Sequence, residues 1–189
     1  MYKKNVAFLF AICLLGSSTL HAQDNSAAKF PKTLKVGETE LTLQGVGERR
    51  KFFVEVYLGA LYLSEKNIDA KVLVKVNEAM AIRLLITSNL ITSEKMAEAT
   101  REGFEKSTDG NVTSINAQVD KFIAVFQESI EKDDAYNIIY QPAEGVLVYK
   151  NDELKIKIKG LKFKQALFGI WLGDDPVDGN LRSGMLGAE

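Results

Sequence analysis

Cysteine and histidine are nearly missing from this chain, one of each among 189 residues. Both, Cys13 and His21, lie in the first 22 residues, a stretch that reads as a secretory signal. Lys3 and Lys4 make a short positive start, Val6 to Gly16 is an apolar run, and Ser17 to Ala22 is a more polar exit with a small residue at the expected cut. Ile12 stands before Cys13 where a lipid-anchoring signal needs a small residue. Cleavage near Ala22 leaves a domain, residues 23–189, with neither thiol nor imidazole. Cys–His and Ser–His–Asp catalysis, zinc sites built on thiolate or imidazole, and disulfides are then excluded. The expected location is the bacterial periplasm or beyond. There the fold must be held by its core alone, although export would permit disulfides. A chain of this length buries about 70% of its unfolded surface, so one domain suffices.

Other shortages point the same way. After the apolar run no stretch reaches about 18 apolar residues, so no stable membrane insertion is expected once the signal is gone. No charge of one sign dominates. The signal takes two of the 24 basic residues, leaving 22 against 25 acidic ones and a net charge of −3. No basic stripe suits nucleic acid. Lys155, Lys157, Lys159, Lys162 and Lys164 do cluster, but the first three alternate with Leu154, Ile156 and Ile158, the pattern of a strand with one wet face. Only Pro31, Pro142 and Pro176 interrupt the chain, each at an expected element boundary.

What is present reads as strands, then helices, then strands, then a helix. Thr33–Val36 and Glu40–Leu43 suit a hairpin turning at Gly37-Glu38. Phe52–Leu63 reads as a long central strand, and Val72–Val76 and Ala81–Thr87 as two more. Thr92 can cap a helix that puts Met96, Thr100, Gly103 and Phe104 on one face. A second helix from about Ser114 aligns Val119, Phe122, Ile123, Phe126 and Ile130. Strands return at Tyr136–Tyr140, Val146–Tyr149 and Glu153–Lys159, with Asn151-Asp152 as a turn. Helices over Lys162–Leu172 and Asn180–Leu186 close the chain, after a loose tail at Gln23–Lys29 that opens it. This order predicts an α+β fold, helices packed on one face of an antiparallel sheet.

Three segments carry a family resemblance in the right order: Gly45-Val46-Gly47-Glu48-Arg49 leading into Phe53 to Leu63, Thr92-Ser93-Glu94-Lys95-Met96, and Ala166 to Asp174. Together they resemble the chalcone isomerase-like family over nearly the whole exported chain. The resemblance implies an open-faced β-sandwich, an antiparallel sheet covered on one face by a helix layer, with a ligand cleft between them. It also implies roles for particular residues. Arg49 matches the arginine that follows the family's Gly-x-Gly turn and pairs with the carboxylate in fatty-acid binders. Tyr57 matches a position that is threonine in isomerases and tyrosine in those binders. Thr92, Ala99 and Ile170 stand where isomerases have a tyrosine, an asparagine and a hydroxyl residue. Ala and Ile can supply neither a donor nor an ordered water to a reacting oxygen.

The resemblance therefore implies a non-catalytic binder of a small hydrophobic carboxylate such as a fatty acid, without metal or cofactor, held by Arg49 and Tyr57. Two alternatives stand: an envelope interaction module with no ligand, and an isomerase-type enzyme using Tyr57 and Lys95 for acid–base work. By pattern alone Glu48 to Lys51 is a solvated turn, with Arg50 as rival to Arg49. Tyr57 and Tyr62 fall on opposite strand faces unless the strand bulges near Gly59. Phe163, Phe168 and Trp171 suit either core or a pocket lining, and Arg83 a solvent-facing strand position. Asp174, Asp175 and Asp178 fail the spacing of a calcium loop and read as a capped helix exit.

Overall fold

The computed structural model describes residues 25–188. The first 22 residues, expected as a secretory signal, lie outside them. Seven strands form one antiparallel sheet in chain order: β1 (Thr33–Val36), β2 (Thr39–Lys51), β3 (Val54–Leu63), β4 (Met80–Ile86), β5 (Ala135–Gln141), β6 (Gly145–Lys150) and β7 (Glu153–Ile158). Each pairs only with its sequence neighbours, so every β connection is a hairpin or a helical excursion returning to the adjacent position. The helices are α1 (Ala70–Lys75), α2 (Ser93–Ser107), α3 (Asn116–Ile123), α4 (Leu161–Leu172) and α5 (Gly179–Leu186).

Alternate residues of the central strands meet this helix layer. Ile82 and Leu84 of β4, Tyr136 and Ile138 of β5, and Val146 and Val148 of β6 join Phe104 of α2, Phe122 of α3 and Phe163 of α4 in the main core. Phe104 sits 5.9 Å edge-on from Phe122 and 5.6 Å from Phe163, an aromatic knot that locks the three helices together. On the far face a smaller cluster, Leu41, Leu58, Ala60, Tyr62 and Ala81, is covered by Phe30. The Tyr62 hydroxyl donates to the Pro31 carbonyl there at 2.9 Å. Asn25–Lys29, expected as a loose tail, forms a short 3₁₀ helix leading into that cover.

Local chemistry sets the boundaries. Thr92 caps α2 by accepting from the Lys95 amide, as its position predicts. Asn151 and Asp152, with φ of 48° and 69°, turn β6 into β7. β7 is an edge strand bearing Lys155 and Lys157. Its register skips Lys155, however, so Leu154 is turned outward and Lys155 is drawn into ion pairs with Glu128 and Glu153.

One expected strand is a helix. Val72–Val76 lies in and after α1, where Asp69 accepts from the Lys71 and Val72 amides. The reason lies far along the chain: Lys164, fully buried on α4, donates to the carbonyls of Leu73, Val74 and Val76 and so closes the helix end. Burial pushes the Lys164 ammonium down to about 8. Lys164 thus leaves the surface lysine cluster altogether, and its ammonium lies over the Tyr140 and Phe168 rings, 5.5 and 5.4 Å from their centroids.

Candidate ligand-binding site

β2 is longer than the hairpin arm expected of it. It runs through Gly45-Val46-Gly47 to Lys51, so this glycine pair lies in a strand, not a turn. The physical reason is α5. A Cβ on Gly47 would stand 2.1 Å from the Leu181 carbonyl oxygen, and one on Gly45 2.3 Å from that of Gly184. Two bare backbones are pressed together here, and the helix lies directly on the strand.

That docking fixes Arg49. Asp178 caps α5, its Oδ1 accepting from the Asn180 and Leu181 amides. Its Oδ2 accepts from Arg49 Nη1 at 2.9 Å. Arg49 Nη1 also donates to the Arg50 carbonyl. Nε and Nη2 have no protein acceptor among the described residues, which leaves open the edge of a guanidinium that binds a carboxylate through two parallel bonds. The Arg49 side chain is 27% exposed, while Arg50 points its charge to Glu48 on the open surface. Of the two candidates, Arg49 is the inward one.

Tyr57 pairs across the strands with Arg49. The register then slips, leaving Val56 unmatched, so both Val56 and Tyr57 face the helix layer. A bulge does occur in this strand, at Val56 and not near Gly59. Tyr62 faces the opposite cluster, as the five-residue spacing predicts. Trp171 Nε1 donates to the Tyr57 hydroxyl at 3.2 Å. Burial pushes the Tyr57 phenol up to about 12, with the Trp171 hydrogen bond and the Arg49 charge pulling weakly the other way.

Arg49, Tyr57 and Trp171 line a cavity of about 360 Å³ between β2–β4 and helices α2 and α4. Small-molecule sites span about 300–1,000 Å³. Its walls are chiefly apolar: Val56, Leu84, Met96, Phe126 and Ile170, with Thr100 as a polar exception. Ala99 and Ile170 both line it, so the side chains at those two positions present only carbon to the space. Thr92 stays at the helix cap, outside the lining. Lys51, Phe52, Leu90 and Lys95 stand at the exposed rim.

The sequence therefore points to two of the polar groups, leaves a third open and gives no sign of the pairing of a fourth. Trp171, which suits either core or lining, does both, while Phe163 and Phe168 belong to the core alone. Asp178, expected within a capped helix exit, instead caps the start of α5, and its second oxygen meets Arg49 from 129 residues away. No local signal announces such a pair. Arg83 is half-buried on the face of Tyr62, away from the cavity, rather than fully in solvent. Asp174 pairs with Lys71, and no cluster of His, Cys, Asp or Glu able to hold a metal occurs among the described residues.

With this geometry in place, comparison with known proteins adds two findings. The family model described as chalcone isomerase-like matches residues 22–187. The solved crystal structure of a fatty-acid binding protein from Arabidopsis thaliana superposes with a TM-score of 0.66 at 17% identity, covering 83% of this chain and 90% of that one. At that identity the likeness concerns the fold. No curated protein matches.

Proposed function

Because the chain belongs to the chalcone isomerase-like family, we infer that it is one of the family's non-catalytic binders, and that its ligand is a small hydrophobic carboxylate such as a fatty acid. The observation that carries this reading is one juxtaposition: an apolar cavity of about 360 Å³ with a guanidinium and a phenol side by side in its wall. An acyl chain would replace water against Val56, Leu84, Met96 and Ile170, at roughly 25 cal/mol per Å² buried. The carboxylate would take the open Nε–Nη2 edge of Arg49, with the Tyr57 hydroxyl as a further donor.

Support against ring-closure chemistry comes from the same walls. A phenol held protonated up to about 12 is a poor proton acceptor near neutrality. Ala99 and Ile170 offer no donor. An open cavity also favours a ligand over a module whose cleft is filled by its own side chains. The first 22 residues support export to the periplasm or beyond, with the binding domain beginning at Gln23.

Native mass spectrometry of the protein purified from its own host tests both parts at once. The expected result is a chain starting at Gln23 with a fatty acid retained in the wild type, and occupancy at least about tenfold lower in Arg49→Ala, the loss of one charge-assisted pair. The same lipid at the same occupancy in Arg49→Ala would sink the carboxylate clamp.

A further inference from the structure

We propose that the rim of the cavity docks on a lipid bilayer bearing anionic headgroups, with Phe52 and Phe53 entering the acyl region. Of the seven large hydrophobic side chains exposed among the described residues, four gather here: Phe52, Phe53, Val54 and Leu90. Phe52 is 89% and Phe53 95% exposed. Three of the four also line the cavity, so the apolar rim and the apolar interior are continuous.

The loop that presents the two rings breaks a local rule. Phe52 and Phe53 alone connect β2 to β3, and Phe52 has a φ of 58°. Glycine or asparagine ordinarily fills such a position, because a Cβ there is strained. A bulky aromatic held in that conformation and left 89% exposed buries little apolar surface within the fold. Strain of this kind, kept at a tip, points to contact with something outside.

Charge and area choose the partner. Lys51 and Lys95 flank the rings, and neither has an ion-pair partner among the described residues. Lysines bordering exposed aromatics complement a lipid surface, where rings sit below the headgroups and ammonium groups meet phosphates. A phenylalanine buries about 150–250 Å², so two of them with the exposed parts of Val54 and Leu90 fall short of the roughly 800 Å² per partner of a stable protein interface. A narrow tip can still sink into a bilayer. Among the described residues no helix is long and apolar enough to cross a membrane, so the contact is peripheral. The docking rests on the rim and not on the identity of the ligand.

The test is flotation of the protein with phosphatidylcholine vesicles, with and without phosphatidylglycerol, in low and high salt. The expected result is co-flotation with the phosphatidylglycerol vesicles that weakens as salt rises. Phe53→Ser, an exposed residue outside the cavity lining, should lower that affinity about tenfold or more, as for one phenylalanine removed from an apolar environment. Phe53→Ser should keep the wild-type affinity for oleate in vesicle-free titration, whereas Arg49→Ala should lose oleate and still float. Equal flotation of Phe53→Ser and the wild type overturns the proposal. So does a wild type that stays in solution with both vesicles, or one that instead self-associates through a contact abolished by Phe53→Ser.

Discussion

Arg49 is held by Asp178, and on the proposed function this pairing would set how strongly it can bind a carboxylate. Asp178 sits 2.9 Å from Nη1 and is itself only 16% exposed, so the pair is poorly screened. A carboxylate of the kind proposed would meet a guanidinium whose charge is already partly balanced. Asp178→Asn separates the two duties of this residue. Asparagine caps a helix about as well as aspartate does, so α5 keeps its start, but the competing charge is gone. The expected outcome is a thermal midpoint within a few degrees of the wild type and an affinity for oleate several-fold higher, read by calorimetric titration. A lower affinity would mean that Asp178 orients Arg49 rather than competing for it.

At the scale of elements the site depends on the contact of α5 with β2. Gly45, Gly47 and Gly184 let two backbones meet where any side chain would collide with a main-chain atom within 3 Å. Gly47→Ala places its Cβ against the Leu181 carbonyl, and no rotamer change relieves a clash with backbone. The expected result is a loss of stability of about 3 kcal/mol or more, at the large end of single substitutions. Gly179→Ala, at the first turn of the same helix with nothing within 4 Å, is the contrast. It should be neutral or stabilising by a few tenths of a kcal/mol through helix propensity. Urea unfolding of the pair checks both. Similar midpoints for the two would show that the strand and helix can part without effect on the fold. The helices over 93–107 and 161–172 were legible from their apolar stripes and from the Thr92 cap. α1 was not, because a six-residue Val-rich segment carries too little periodicity to separate helix from strand. Lys164, which decides the matter, lies about 90 residues away.

The whole molecule is a sheet meander with both faces partly buried, and its tyrosines record that burial. Burial pushes Tyr57 and Tyr62 up to about 12 and raises Tyr136 and Tyr140 as well. Below pH 10 these phenols are protonated in the folded and unfolded chains alike. Between 10 and 12 the unfolded chain releases protons that the folded chain retains, so stability falls as pH rises through that window. For Tyr57 the rise from 10 to about 12 corresponds to a few kcal/mol at most. Urea midpoints taken from pH 9 to 12 should drop steeply above 10. Tyr57→Phe should lower the midpoint at pH 9, since Trp171 Nε1 loses its acceptor, and flatten part of the drop. A wild-type midpoint unchanged across that range would show that the phenols reach water in the folded protein.

The sequence by itself determined most of the elements and their order, α1 excepted. Period-two and period-3.6 patterns are local, and so are the Thr92 cap and the Asn151-Asp152 turn. It also singled out Arg49 and Tyr57, through a family resemblance rather than through any local signal. Tertiary structure alone decided that the Gly45–Gly47 segment is a bed for α5 and that Asp178 holds Arg49. It also decided that Lys164 ends a helix and that the rings of Phe52 and Phe53 crown an open cavity. Each of these joins groups distant in sequence, or turns on which face a side chain presents after a bulge. A linear pattern records neither quantity, because both are set when the sheet curls and the helices settle on it.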